Sequence, residues 1–216
     1  KWRFFCGLNE ADDFSYAVYA FSLGKIPIIW DMNVDFRVFR FSLIFPVFLL
    51  YKIFPPSELI TVIYPILISF GTIILVYHIG KRLYGPNAAI VGAFVLATFP
   101  ADLIHSTMLL PDTLVPFFIS LSLFFFLKAE DSANKKSFLW YFVSGLSIYF
   151  AFISRENSFY FFFFFFPFIF KKERWKNGIY LMGMAFALAV IINYLIFYIK
   201  TGDFFYNIHL SGYHRD

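Results

Sequence analysis

Long apolar runs separated by short polar connections set the pattern of this chain. The runs are Leu59 to Ile79, Ala88 to Pro100, Thr113 to Leu127, Phe138 to Ile153, Phe159 to Phe170 and Ile179 to Ile199. A hydrocarbon core of about 30 Å needs roughly 20 helical residues, and the first and last runs reach that length. The middle runs are shorter, and they span only if polar residues at their ends lie inside the bundle or at headgroup depth. Upstream, "RVFRFSLIFPVFLLYKIFPP" has an apolar core from Phe41 to Tyr51 that is too short to cross and contains Pro46. It predicts a juxtamembrane or re-entrant helix. Earlier still, Phe14, Ala17, Val18 and Phe21 fall at helical spacing after Asp12, with Ser15, Tyr16, Tyr19 and Ser22 on other faces. That pattern predicts an interfacial amphipathic helix with acids in its first turn. The fold class is therefore all-α, a polytopic transmembrane helical bundle of about six helices with outer juxtamembrane helices. Residues 1–57 form an outer loop with the juxtamembrane helices, 58–199 the bundle, and 200–216 the start of a further outer loop.

Composition agrees with a membrane chain. Hydrophobic residues make up 60%, charged residues only 15%, and there are 35 Phe. A soluble domain carries charge on about a quarter of its residues. The chain opens at Lys1 without a methionine and closes just after a membrane run, so it reads as a piece of a longer protein, inactive on its own. The single Cys6 excludes an internal disulfide and a CxxC metal knuckle. His209 and His214 have no carboxylate ligand between them, so no metal site is expected. "HIGK" lacks the upstream glycine of a phosphate loop.

The net charge of +4 matters less than its distribution, and no nucleic-acid partner is expected. Lys81 and Arg82, then Lys128, Lys135 and Lys136, then Lys171, Lys172, Arg174 and Lys176 sit in alternate connections. The positive-inside rule makes those connections cytoplasmic. Only Glu130, Asp131 and Glu173 then lie inside, and the other eleven of the fourteen acids collect at the opposite face. Topology was assigned from basic residues alone, so the acidic clustering is an independent result. A solvated acidic face is one explanation. Asp102 and Asp112, however, bracket a hairpin at the ends of two runs, and Arg155 with Glu156 sits between two others. Ionisable groups at such depth face a polar cavity or each other, which predicts one polar site near the outer surface.

The motifs "ADDFSYAVYA", "LVYHIGKRLYGPNAAIVGAFVLATFP", "HSTMLLPDTLVPFF", "SRENSFYF" and "FYIKTGDFFYNIH" together resemble, in this order, the GT-C membrane glycosyltransferases. The resemblance is to the family 39 group, which includes protein O-mannosyltransferases and the aminoarabinose transferase acting on lipid A. Coverage is nearly the whole chain, and the order of the motifs carries the match. Where family members have a lysine-proline-proline stretch, this chain reads "WDMNVDFRVFR", and Arg37 or Arg40 stands as the replacement cation.

The resemblance implies an integral, multi-pass protein of the plasma membrane. Its implied reaction is inverting transfer of a sugar from a polyprenyl-phosphate donor to a protein or glycolipid acceptor at the extracytoplasmic face. The polyprenyl-phosphate-linked sugar enters as donor substrate, no cofactor is implied with certainty, and a divalent-metal requirement is left open by the sequence. Such transfer needs a carboxylate to take the acceptor's proton, and Asp12 is the candidate. A leaving phosphate needs cations rather than an acid, and Arg40 and Arg155 are the candidates, with Arg favoured for its bidentate fork. Asp13 and Asp112 would orient Asp12, a sugar hydroxyl or an arginine, with Glu156 and His105 completing the substrate-binding set. Plainer readings exist: the Asp12 and Asp13 pair as helix-start acids, Arg155 pairing with Glu156, and His105 as a cavity-lining histidine. The Phe159 run is lipid-facing bulk, or part of a groove for a prenyl chain. A transporter or a non-catalytic membrane scaffold are the competing functions. A transporter calls for broken polar helices at the midplane and internal repeats, and no repeat is visible.

Overall fold

The structure, a computed structural model, describes residues 7–8, 11–23, 36–132, 135–170 and 173–213. The segment 24–35, Lys171, Lys172 and His214, used above, lie outside the described residues. The elements in chain order are α1 (Ala11–Ser22), a 3-10 turn (Phe36–Phe39), α2 (Phe41–Ile53), α3 (Glu58–Tyr84), α4 (Pro86–Thr98) and α5 (Pro100–His105). They are followed by α6 (Pro111–Asp131), α7 (Lys135–Ser154), a long 3-10 helix (Glu156–Phe170), α8 (Glu173–Thr201) and α9 (Tyr206–Tyr213). Among the described residues there is no strand, as the apolar pattern predicts.

Helices α3, α6, α7 and α8 are long and apolar enough to cross a membrane. The two short runs are handled differently. Helix α4 has 13 residues, about 20 Å at 1.5 Å per residue. It stops at Phe99, whose extended backbone (φ −65°, ψ 121°) is what a following proline imposes, and α5 restarts at Pro100. The Phe159 run adopts the tighter 3-10 form, so its 15 residues cover about 30 Å at 2 Å per residue. Between α3 and α4, Gly85 at φ +89° supplies the left-handed corner, with Pro86 opening the next helix.

Small residues let the bundle close. Ser122 of α6 and Ser144 of α7 are buried with their hydroxyls 2.9 Å apart. On α7, a Cβ at Gly145 would stand 2.3 Å from the Met182 carbonyl oxygen of α8, so the two backbones approach as closely as glycine allows. Phe126, Tyr141, Ile148, Phe165 and Met182 fill the core among α6, α7, the long 3-10 helix and α8.

The two ends of the bundle differ. At the basic end, Arg82 grips Asp131 with two bonds of 2.6 and 2.5 Å, Tyr141 donates to Glu130, and the Lys128 ammonium lies 3.9 Å from the Trp140 ring centre. At the acidic end, α2 is tied to α7 by Ser42 and Ser154, hydroxyls 2.7 Å apart, and to α3 by the Tyr64 hydroxyl donating to the Ser42 carbonyl at 2.9 Å.

Helix α1 packs across this acidic end. Asp13, Tyr16, Ala17 and Ala20 face inward, three of them against Leu43, Ile44, Val47, Leu109, Leu110 and Leu114. Phe14, Val18 and Phe21 are 60, 42 and 45% exposed. The sequence pattern grouped Ala17 with that stripe; instead Ala17 and Ala20 provide the flat surface on which α1 meets α2, and Tyr16 turns inward because its hydroxyl has a partner in Arg40.

Candidate active site

The acidic end gathers the predicted site residues into two clusters and leaves one apart. The first cluster joins α1 to the 3-10 turn before α2. Arg37 donates Nη1 to Asp12 Oδ1 at 2.5 Å. The Asp12 side chain is 48% exposed, and among the described residues Arg37 bonds its Oδ1, leaving Oδ2 available. Asp13, the next residue, is fully buried. A helix places consecutive side chains about 100° apart, so one acid of the pair faces the accessible side and the other the protein. Arg40, one turn beyond Arg37, donates to the Tyr16 hydroxyl and lies with its guanidinium carbon 5.6 Å from that ring's centre. Tyr16 stands four residues after Asp12, which brings Arg40 to the same part of α1.

Arg40 also reaches the second feature, a polar recess formed with Glu156, Asn193 and Asn207 and closed by Phe39 and Phe197. Phe39, Phe197, Tyr206 and Leu210 pack together and fasten α9 to the 3-10 turn and to α8. Beside the recess, on the α2 side, runs an apolar groove of about 420 Å³ whose lining includes Phe41, Phe45, Tyr64, Phe118 and Phe150.

The second cluster is Arg155 at the end of α7 and Asp112 in the first turn of α6, joined at 2.6 Å. Among the described residues Arg155 pairs with Asp112 rather than with Glu156, the pairing considered from sequence, and Glu156 lines the recess instead. Asp102 accepts from Ser69 of α3 at 3.0 and 2.8 Å, fixing the start of α5. His105 stands apart: its carbonyl accepts from Thr113 at 3.0 Å, and its Nδ1 is buried without a hydrogen-bond partner. Among the described residues no three His, Cys, Asp or Glu side chains are placed to hold a metal ion. Past α8, Asp203 Oδ2 meets His209 Nδ1 at 2.7 Å and Asp203 Oδ1 accepts from the Phe205 amide at 2.9 Å. The bond to His209 is the main reason the Asp203 carboxyl sits below the ordinary carboxylate range.

A family model described as dolichyl-phosphate-mannose-protein mannosyltransferase matches residues 45–197, well over half of the chain. The chain belongs to this family. It is accordingly a membrane glycosyltransferase of the GT-C type, and its four long apolar helices are those of a multi-pass membrane protein. No curated protein and no solved structure matches the chain. His105, Asp112, Arg155 and Glu156 fall within the matched span, whereas Asp12, Asp13, Arg37 and Arg40 precede it.

Sequence reasoning placed Arg37 only as a phosphate cation and did not see its bond to Asp12, 25 residues away. It also passed over Asn193 and Asn207. Asn193 did carry a signal, being a lone amide within the apolar run Ile179 to Ile199; polar groups in such runs face cavities.

Proposed function

We propose that this transferase moves a sugar from a polyprenyl-phosphate donor to an acceptor hydroxyl at the extracytoplasmic face, with inversion and with Asp12 as general base. The observation that carries the reading is the Asp12–Arg37 pair, an accessible carboxylate held by one oxygen. Its Oδ2 takes the acceptor's proton as the acceptor oxygen bonds to the anomeric carbon. The bond from that carbon to the phosphate oxygen breaks, and its electron pair leaves with the lipid phosphate. A single displacement of this kind inverts the anomeric centre. In this reading Arg40, which reaches Tyr16 on the helix of Asp12, faces the leaving phosphate, and Arg155, paired with Asp112, is a second cation of the same end. Asp13, buried behind Asp12, positions α1 rather than touching substrate. The groove beside Phe41 suits isoprene units, being almost wholly apolar and directly following Arg40 in the chain. A polyprenyl donor thus has a place for its tail next to a place for its phosphate.

The expected result of deleting the gene is accumulation of a sugar-phosphate polyprenyl lipid in extracted membranes. Unchanged lipid profiles in the deletion strain, with the acceptor still glycosylated, would defeat the proposal. The face is tested separately. A cysteine at Ser132 should be labelled only from the cytoplasm and one at Ser211 only from outside, because Ser132 lies among the basic connections and Ser211 follows α8 at the opposite end. Labelling of both from one side would overturn the orientation.

A further inference from the structure

The recess shared by Arg40, Glu156, Asn193 and Asn207 contains a buried acceptor that none of the described residues satisfies. Asn207 Oδ1 is buried and has no hydrogen-bond partner among the described residues. Leaving a buried polar atom unpaired is costly, so a group that donates to it belongs to the working state. The recess core holds about 20 Å³, enough for one water-sized group and far too small for a sugar ring. Its polar lining mixes a cation, an anion and two carboxamides, each able to bond a hydroxyl. A phosphate would meet Glu156 there and be repelled; a neutral hydroxyl meets no such penalty. The placement is also specific. Arg40 connects the recess to Tyr16, on the helix that carries Asp12, while Phe39, Phe197 and Tyr206 pin α9 so that Asn207 cannot swing away without breaking an aromatic cluster.

We infer that this recess reads one hydroxyl of the transferred sugar, with Asn207 as the acceptor of that hydroxyl's proton and Asn193 as its neighbour. The sugar ring would lie outside the core, on the Arg40 side. Resting on the donor reading above, this makes Asn207 a specificity-determining residue, since a site that has to pair a buried polar group discriminates against an analogue lacking the matching hydroxyl.

The test is equilibrium binding to the full-length protein in nanodiscs, using dolichyl phosphate, dolichyl-phosphate mannose and the monodeoxy-mannose analogues of the latter. Wild type should bind one analogue about tenfold more weakly than the parent lipid, the size expected for one buried acceptor left unpaired. In Asn207→Leu that difference should fall to within about twofold, with bare dolichyl phosphate bound as by wild type. Asn207→Ser, which shortens the side chain without adding bulk, provides the same comparison if the leucine variant does not fold. A variant that merely loosened the fold would weaken every ligand alike. If wild type binds all analogues equally, the recess holds only a structural water and the inference fails. If both variants keep the wild-type discrimination, Asn207 is not the reader, and the donor reading survives. If wild type binds neither dolichyl lipid, both readings fall together.

Discussion

Asp12→Asn should lower turnover about 10²-fold or more while leaving expression and membrane insertion unchanged. Asparagine keeps the size of the side chain and an oxygen for Arg37, so the pair across α1 and the 3-10 turn persists. What disappears is the proton acceptor. As a plain helix-start acid, Asp12 would contribute only about 0.3–1 kcal/mol through the helix dipole. That magnitude affects stability slightly and cannot account for a hundredfold loss of rate. The measurement is kcat and KM of the full-length protein with a lipid-linked sugar donor. A base acting in the transition state lowers kcat with little change in KM. Wild-type turnover in Asp12→Asn would end the catalytic reading. Asp13→Asn should cost less turnover, because that carboxylate is buried away from the accessible side.

The second large effect concerns packing. Gly145→Ala should lower the thermal midpoint in detergent by roughly 5 °C or more, as expected for overpacking at a site that cannot yield. The added Cβ would meet the Met182 carbonyl oxygen at 2.3 Å and the Ala185 Cβ at 2.9 Å. Backbone of a neighbouring helix has no rotamer to escape into, so α7 and α8 would have to part. Gly92→Ala is the matched control, since its Cβ would find only the Val76 side chain at 3.8 Å. Equal midpoints for the two variants would refute the close approach of α7 and α8.

The helical class and the apolar runs were legible in the sequence because membrane crossing leaves a length and composition signature in each segment. Boundaries at Phe99–Pro100 and at the long 3-10 helix were not. One depends on a local proline rule, and the other on a choice between two helix types that similar apolar sequences both permit. For the candidate site residues the sequence offered chemistry to nominate, but pairing was not legible. Asp12 and Arg40 could be named from their type and position. That Arg37 would bond Asp12, that Arg155 would meet Asp112 and that Asn207 would be left with an open acceptor all depend on contacts between distant parts of the chain. No local pattern encodes such contacts.

Under the proposed mechanism, the outward stripe of Phe14, Val18 and Phe21 would have a mechanical meaning for catalysis. It lies on the same short helix as Asp12, and it faces away from the protein. In the proposed orientation those three side chains would sit in the headgroup region, and α1, held to the bundle by its inward face, would act as a tethered float that ties the level of the carboxylate to the lipid surface. A polyprenyl-phosphate donor of the kind proposed would be held at that same surface by its own tail. Under that proposal base and scissile bond would share a common reference level, so modest changes in bilayer thickness would shift both together. Replacing Phe14 and Phe21 by serine should remove the float and make turnover depend on acyl-chain length in reconstituted vesicles, where the unmodified protein is expected to be nearly indifferent to it.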